Sequence, residues 1–490
     1  MIPPQLGLLV WSALLVLLLR YASAKDDRSS SALWVPVLWL SLAGSRSLAQ
    51  WLGLLPPTVE VAFEEGSPLD RTVYLLLMGL ALWVLAKRQI RWHETFARNV
   101  TLTLFLLFAL ASVIWSDFPY ITFKRWIRDL GTYVMVLVVL SDPRPADAIS
   151  IVIRRVSSVL VMFSVVLIKY YTALGVTYGA WSGAPEYIGA TTSKNMLGAL
   201  CLLSGLFYFW DTLQRWGERK DRQSRRLLFV NLVLLAMTLW LLRLSQSATS
   251  QGSFIVGCFI IVLVRSKWAK VKPDRVKALI PAGMAGYLVL EFMFDFSTTV
   301  AEFFGRDPTL HGRTGIWDAV LAQQTNPLWG VGYQTFWLGD RLVSVSGRLQ
   351  SGIINEAHNG YLEIYLNLGV VGLCLLVLFM ISSYRRVFRQ LSGPRSFAPL
   401  SIGLWTVTAV YNVTESGFGA SLIWFALLLY VIDVPRSGGL RPSKSKRPAP
   451  EEAIVRSYGY RVHPRGAPST EPVGSRRPTD THVSAAHRSK

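Results

Sequence analysis

A polar stretch at residues 305–372 interrupts an otherwise apolar chain and carries most of the side chains that could do chemistry. It contains the arginines Arg306 and Arg313 and the histidines His311 and His358, together with several carboxylates and many glycines. Arginine binds anionic oxygens through its planar fork, and histidine exchanges a proton near neutral pH. We therefore expect this stretch to carry the chemistry and the rest of the chain to hold it at a membrane surface.

The composition predicts a polytopic membrane protein. Hydrophobic residues make up 52% of the 490 residues and charged residues only 16%, whereas soluble domains carry about 25% charged residues. A spanning helix needs about 20 mostly apolar residues. This rule predicts about 12 to 13 transmembrane helices, at residues 5–23, 32–50, 72–87, 99–115, 129–141, 155–173, 195–211, 227–245, 252–266, 278–296, 361–383, 397–412 and 417–434.

Lysine and arginine in the short loops set the predicted orientation, because such residues favour the cytoplasmic side. The basic loops alternate along the chain, near residues 87–91, 154–155, 215–226, 265–277 and 385–389. We expect a transmembrane domain over residues 1–434, with one large periplasmic loop at residues 297–360. The N-terminus then also lies outside, and because no basic segment precedes the first apolar run, we expect that run to be retained.

The tail at residues 435–490 is predicted to be a basic, disordered cytoplasmic extension. From residue 436 onward it has 12 Lys or Arg against 4 Glu or Asp, a net charge of +8. Because the positive charge of the chain is concentrated in short loops and this tail, it indicates membrane orientation and not a nucleic-acid-binding face.

Several cations fall on the predicted outer side, where the charge rule disfavours them. Arg125 and Arg128 belong to the basic outer segment 116–128, and the large loop carries Arg306 and Arg313. Cations in this position indicate an anionic ligand on the outer face.

The polar motifs resemble the O-antigen ligase and Wzy-type polymerase superfamily, over roughly residues 30–435. Within it, the pattern is most similar to exopolysaccharide polymerases of succinoglycan-like pathways. The motifs are Trp115-Ser116-Asp117, Thr192-Ser193-Lys194-Asn195, Leu244 to Ser250, Gly312-Arg313-Thr314 with Ile316-Trp317, Pro327 with Gly330-Val331-Gly332-Tyr333, and His358-Asn359-Gly360-Tyr361-Leu362-Glu363 with Gly369 and Gly372.

This resemblance implies an all-α membrane enzyme with a glycosyltransferase-C-like fold that needs no metal and no other cofactor. The enzyme would take a glycan from undecaprenyl pyrophosphate at the periplasmic face of the bacterial inner membrane. A departing pyrophosphate gains negative charge, so arginines in a poorly solvated pocket stabilise the transition state more than the ground state.

The first candidate for this pyrophosphate clamp is Arg313, followed by Arg125, Arg128 and Arg306. Lys194 begins a predicted helix, and a helix N-terminus also favours an anion. The alternative is that these cations only face lipid headgroups.

His358 is the candidate general base that removes the proton of an acceptor hydroxyl, with His311 as a rival. Four aromatic residues, Trp317, Tyr333, Phe336 and Trp337, would stack on sugar faces, although aromatic residues are also common at membrane interfaces. We expect Asn359 and Glu363 to contact the glycan, and Glu363 alternatively to orient a histidine. Ser247 and Thr249 lack a Gly-x-Ser-x-Gly elbow and are interpreted as loop or capping residues.

The resemblance favours an exopolysaccharide polymerase whose acceptor is another lipid-linked repeat unit. A ligase with lipid A core as acceptor would use the same chemistry. A transporter or flippase for lipid-linked sugar is the alternative of another class, and it would need polar groups in mid-span and broken helices, in which the predicted spans are poor. Expected partners are the lipid-linked oligosaccharide, a glycan acceptor, the bilayer, and chain-length regulator and export proteins, but no nucleic acid.

Overall fold

The computed structural model describes residues 3–23, 30–54, 66–179, 183–294, 310–349, 354–389, 397–419 and 421–435. Arg306, Asp307 and the tail beyond residue 435 lie outside these ranges. The described part is an all-α integral membrane protein, as the composition predicted.

Nineteen α-helices are described, with one short antiparallel hairpin between them. The first ten are α1 (Pro4–Ser23), α2 (Trp34–Ala43), α3 (Leu48–Trp51), α4 (Pro68–Ala86), α5 (Trp92–Arg98), α6 (Val100–Ala111), α7 (Pro119–Leu140), α8 (Pro145–Tyr170), α9 (Thr172–Gly175) and α10 (Lys194–Gly217). The others are α11 (Arg222–Leu244), α12 (Ala248–Arg265), α13 (Lys267–Val271), α14 (Pro273–Phe294), α15 (Leu310–Leu321), α16 (Asp340–Arg348), α17 (Gly360–Arg389), α18 (Ala398–Thr414) and α19 (Leu422–Val431). The hairpin pairs β1 (Val176–Tyr178) with β2 (Pro185–Tyr187).

Each of the thirteen predicted spans overlaps a helix, although the span at 32–50 is divided between α2 and α3 and the span at 417–434 contains only the ten residues of α19. Among the described residues, six helices are long and apolar enough to cross a membrane, namely α4, α8, α10, α11, α12 and α17. The pair of α5 and α6, bent by 92°, would make a seventh span. The total of 12 to 13 spans and the side on which each loop lies stay predictions.

Hydroxyl residues set several helix starts. The side chains of Ser193, Ser247 and Ser421 accept hydrogen bonds from backbone N–H groups in the first turns of α10, α12 and α19, which satisfies donors that have no partner within the helix. The interpretation of Ser247 as a capping residue is confirmed. Every residue of α19 is buried, so this short helix lies inside the bundle and not at its surface.

Helix α17 is broken at Gly369, whose φ of 63° and ψ of −167° are not helical. The Pro327 to Gly332 segment runs alongside the break and replaces the missing hydrogen bonds. Val331 N–H donates to the Leu366 carbonyl at 3.2 Å, and Val370 N–H donates to the Pro327 carbonyl at 2.9 Å. Backbone groups at membrane depth need such partners. The glycine motif of the large loop is therefore the structural complement of the break in α17.

We expect Gly369→Ala to destabilise the fold. A Cβ at this position would lie 2.2 Å from the carbonyl carbon and oxygen of Leu328, and backbone atoms cannot rotate away. The unusual φ and ψ alone cost a side chain about 1–3 kcal/mol, so the thermal unfolding midpoint in detergent should fall by several degrees.

Gly79→Ala on α4 is the matched control for this substitution, because a Cβ there meets nothing within 4 Å. Alanine favours the helix at such a site by about 0.5–1 kcal/mol, so the control should unfold at the same or a slightly higher temperature. An unchanged midpoint for Gly369→Ala would contradict the proposed packing.

The spans are poor in charged groups, as expected, but residues 154–155, predicted as a basic loop, lie within α8. Besides the break at Gly369, Arg154 on α8 is buried and pairs with the carboxylate of Asp211 on α10. Asn231 on α11 donates to the same carboxylate at 2.8 Å. Buried charges are retained when they are paired and hydrogen-bonded, and this cluster joins three helices.

Candidate active site

The centre of the site is Glu415, the residue that follows α18. Its Oε1 accepts hydrogen bonds from Arg313 Nη2 at 2.8 Å and from Asn195 Nδ2 at 3.1 Å. Its Oε2 lies 3.4 Å from His358 Nδ1. The Glu415 side chain is only 5% exposed. One buried carboxylate thus brings together Arg313 and His358, the two residues predicted to do the chemistry.

Three separate helix ends position this cluster. Asn195 is in the first turn of α10, which Ser193 caps. Arg313 lies in the first turns of α15. His358 precedes α17 and has a φ of 50°, a left-handed conformation that is uncommon for residues other than glycine. Strained backbone of this kind is concentrated at functional sites.

The environment of His358 raises its pKa. Burial alone would lower the pKa, but the hydrogen bond with Glu415 and the negative charges of Glu356 and Glu415 outweigh burial, even though Arg313 opposes them. Glu356 Oε1 lies 3.1 Å from His358 Nδ1. With Nδ1 held by carboxylates, a neutral His358 keeps its lone pair on Nε2. This arrangement suits a general base.

Glu356 contacts His358 and also lines a neighbouring cavity. Its side chain is 40% exposed, but this surface lines a cavity, so neighbouring groups still withhold solvent from the carboxyl. Burial raises the pKa of Glu356, and the charge of Glu415 raises it further, while His358 and Arg313 lower it.

The ligand atoms of Glu356, His358 and Glu415 lie within 4.8 Å of one another, a spacing that can hold a metal ion. Arg313, however, donates to Glu415 at 2.8 Å. A guanidinium that already neutralises one of the three groups repels a second cation at close range. The ion pair with Arg313 therefore disfavours a metal ion at these three groups.

A cavity of about 870 Å³ meets the cluster at Glu356, whereas Arg313, His358 and Glu415 are not among its lining residues. Four of the predicted site residues line it, namely Arg125, Arg128, Tyr333 and Glu363. Trp337, which the sequence also suggested as a sugar-stacking residue, lines the cavity as well. Further lining residues that sequence reasoning did not single out are Arg71, Lys124, Gln334 and Glu356. Cations from α4 and α7 thus face this space, as expected of a site for an anionic group.

Gln334 holds the two arginines of α7 in place. Its backbone carbonyl accepts from Arg125 Nη1, and its Oε1 accepts from Arg128 Nη2 at 2.9 Å. Gln334 has a φ of 58°, and its Nε2 donates to Asp129 Oδ2. Tyr333 OH donates to the same oxygen at 2.8 Å. Burial, followed by the charge of Asp129, raises the pKa of Tyr333 well above its usual range, so the phenol stays a donor.

The polar atoms of three other predicted site residues form hydrogen bonds or an ion pair within the protein. Lys194 Nζ lies 2.7 Å from Glu186 Oε1 on β2, Trp317 Nε1 donates to the Ala357 carbonyl at 2.9 Å, and Asn359 Oδ1 accepts from backbone N–H groups in the first turn of α17. None of the three is among the residues that line the described cavity. Their roles in substrate binding stay predictions.

Glu363 lines the cavity but is also hydrogen-bonded within the protein. Its carboxylate accepts from Trp337 Nε1 at 2.9 Å and from the Ala357 backbone N–H at 2.6 Å. These bonds fix the loop that carries His358 against α17. If Glu363 orients His358, as the alternative role requires, it does so indirectly, by holding this loop.

Sequence reasoning missed Glu415, Glu356, Asn195 and Gln334. Two signals were available: Glu356 lies two residues before His358, and Glu415 is a carboxylate in a very short polar connection between two apolar runs. No local pattern marks Gln334, because its role follows from contacts with α7.

Two comparisons with known proteins bear on the family of this chain. Residues 232–377 match the family model described as O-antigen ligase (Wzy_C), a range that includes Arg313, His358 and Gly369. The chain is also 26% identical over 339 residues to the exopolysaccharide production protein ExoQ of Rhizobium meliloti (strain 1021), covering 66% of this chain and 74% of the relative. Both comparisons confirm the resemblance to the O-antigen ligase and Wzy-type polymerase superfamily that the motifs indicated.

Proposed function

We propose that this protein polymerises exopolysaccharide at the periplasmic face of the bacterial inner membrane. It transfers a glycan from undecaprenyl pyrophosphate to a hydroxyl of another lipid-linked repeat unit. The observation that carries the proposal is the pairing of Arg313 and His358 with one buried carboxylate, Glu415, beside a cavity with a basic wall.

The reaction we propose is a single displacement at the anomeric carbon. The acceptor hydroxyl oxygen forms a bond to that carbon while its proton passes to His358 Nε2. The bond between the anomeric carbon and the pyrophosphate oxygen breaks, and the pyrophosphate leaves with the electron pair. Arg313 and the cations of the cavity wall, Arg125 and Arg128, stabilise the charge that develops on it. For this step the acceptor must come within reach of His358 from the side of Glu356, which lines the cavity and lies 3.1 Å from the ring.

The polar features inside the spans do not favour a transporter. The Arg154–Asp211 pair does not line the described cavity, and loop backbone fills the break at Gly369. A transit site would instead require unwound backbone that lines a ligand pathway.

A ligase remains the second candidate, because the matched family model is that of O-antigen ligase. The similarity to a relative named for exopolysaccharide production favours the polymerase. The two activities share donor chemistry and differ in the acceptor.

Purified protein in lipid vesicles, supplied with a synthetic undecaprenyl-pyrophosphate repeat unit, should extend chains without nucleotide or added metal. EDTA should not change the rate, because the Arg313 guanidinium, 2.8 Å from Glu415 Oε1, disfavours a second cation at this cluster. Products are separated by length on gels and identified by mass spectrometry.

Lipid A core, added as a competing acceptor, separates the two candidates. Products that contain only repeat units support the polymerase, whereas glycan on lipid A core would assign the ligase. Consumption of neither substrate would overturn the proposed glycan transfer, and inhibition by EDTA would overturn its independence of metal.

A further inference from the structure

The short connection between α18 and α19 borders the cavity next to the cluster. Ser416 and Phe418 of this connection line the cavity, and so does Gly360 at the start of α17. Gly360 N–H donates to the Glu415 carbonyl at 3.0 Å, and the centroids of the Phe418 and Tyr361 rings are 5.2 Å apart. The connection and the start of α17 thus form one wall of the cavity.

The connection runs from the proposed base to the residue that holds the arginines of α7. It begins at Glu415, whose Oε2 lies 3.4 Å from His358 Nδ1. It reaches Gly419, where an added Cβ would lie 3.4 Å from Asp129 Oδ2 and 3.5 Å from Gln334 Nε2. Four peptide steps span at most about 14 Å. A sugar held between the base and the arginines therefore lies within reach of this connection.

The hydroxyl oxygen of Ser416 is buried and makes no hydrogen bond with any residue that the structure describes. Buried polar atoms are nearly always paired in native proteins, so an unpaired oxygen on a residue that lines a cavity indicates a ligand there. Rotation about χ1 gives a serine three staggered positions, which lets the hydroxyl turn toward that ligand.

The carboxylates around this wall outnumber the cations. Glu356 and Glu363 line the cavity, and Glu415, which pairs with Arg313, begins the connection. With the three carboxyl groups ionised and His358 neutral, three negative charges face one positive charge. Carboxylates accept hydrogen bonds from hydroxyl groups, but they repel another carboxylate at close range.

We propose that Ser416, Phe418 and Glu356 form the subsite for the acceptor sugar, and that this subsite takes an uncharged sugar. This assignment rests on the proposed function, because it takes the transferred group to be a glycan and His358 to be the base. The sugar ring packs against Phe418, Ser416 Oγ bonds one of its hydroxyls, and Glu356 accepts from another. A hexuronic acid would add a carboxylate opposite those of this wall and is excluded.

Two synthetic substrates separate the acceptor from the donor. A donor whose acceptor hydroxyl is replaced by hydrogen can only give its glycan, and an alkyl glycoside of the repeat unit, without diphosphate, can only receive it. For Ser416→Ala we expect the KM of the acceptor to rise about threefold to tenfold, the usual effect of one lost hydrogen bond. The KM of the donor should stay at the wild-type value. The unfolding temperature should stay the same or rise, because the substitution removes a buried polar atom that no described residue binds.

Ser204→Ala is the matched control. Ser204 Oγ on α10 is also buried and bonded to none of the described residues, but Ser204 does not line the cavity. This variant should match Ser416→Ala in stability while both KM values stay at the wild-type level.

Acceptors that differ in one group test the exclusion of charge. An acceptor that ends in a hexose is compared with one that ends in the corresponding hexuronic acid, at an alkaline pH at which the carboxyl groups are ionised. We expect kcat/KM to be at least about tenfold lower for the hexuronic acid. Glu363→Gln removes one of the facing charges and should narrow this difference, whereas Glu94→Gln on α5 should not.

Each result has a definite meaning. An unchanged acceptor KM in Ser416→Ala, equal rises of both KM values, or equal use of the two acceptors would overturn the subsite even if the protein makes polymer. Failure of the wild type to use the donor with either acceptor would overturn the proposed function. Titration calorimetry of the alkyl glycoside would then still decide the subsite, because weaker binding by Ser416→Ala supports it and equal binding overturns it.

Discussion

Replacing His358 by alanine should lower kcat for glycan transfer by about 10²–10⁴-fold, the usual contribution of a general base. The KM for the donor should change little, because Arg313, Arg125 and Arg128 remain in place to bind the diphosphate. Initial rates with the synthetic donor measure both constants. His93→Ala is the matched control, since His93 is exposed on α5, away from the site. Undiminished turnover by His358→Ala would remove this residue from the mechanism.

The pH dependence provides an independent check on the same residue. Only neutral His358 can accept a proton, so kcat/KM should fall as the pH drops through its pKa, which Glu415 and Glu356 raise above the ordinary value of about 6.5. Glu356→Gln removes one of these negative charges and should move the acidic limb to lower pH. Glu94→Gln on α5, where Glu94 pairs with Arg91, should leave the limb in place. A limb that does not move in Glu356→Gln would contradict the assigned base.

Helix positions were predictable from the sequence because an apolar run specifies a helix without reference to its partners. The break in α17 was not. Leu366 to Gly372 lies within the single predicted span at 361–383, and the helix opens at Gly369 where backbone of the Pro327 to Gly332 segment docks against it. The sequence motifs include Gly330 and Gly332 on one side of this contact and Gly369 on the other. That the two segments touch depends on tertiary structure, which the motifs do not specify.

In the candidate site, too, residues with a local sequence signal were predictable, and residues whose role depends on tertiary contacts were not. Arg313 and His358 could be singled out because their motif lies in a polar loop, and Arg125 and Arg128 because they break the charge rule. Asn359 was expected to contact substrate, whereas its position before an apolar run also fits a helix cap, and it caps α17. Glu415 gave only a weak signal, a carboxylate between two apolar runs, since its role depends on partners from three distant segments.

Replacing Glu415, which sequence reasoning missed, should have a large effect on both stability and activity. Glu415→Gln removes the charge that holds Arg313, whose side chain is only 13% exposed. Leaving one partner of a buried ion pair without the other costs about 3–5 kcal/mol of stability. Transfer activity should also fall, because the partner of Arg313 and a partner of His358 are lost together. Thermal unfolding in detergent and initial rates measure the two effects.

A double variant separates the structural effect from the catalytic one. Adding Arg313→Met to Glu415→Gln leaves no unpaired charge in the cluster, and replacing both partners of a buried pair is often neutral or stabilising. The unfolding temperature should therefore recover, so that the two substitutions are not additive. Activity should not recover, because the proposed clamp on the leaving pyrophosphate is gone. If activity instead returned with stability, Arg313 and Glu415 would serve only to hold the fold, and the chemistry would have to be assigned to the cations of the cavity wall.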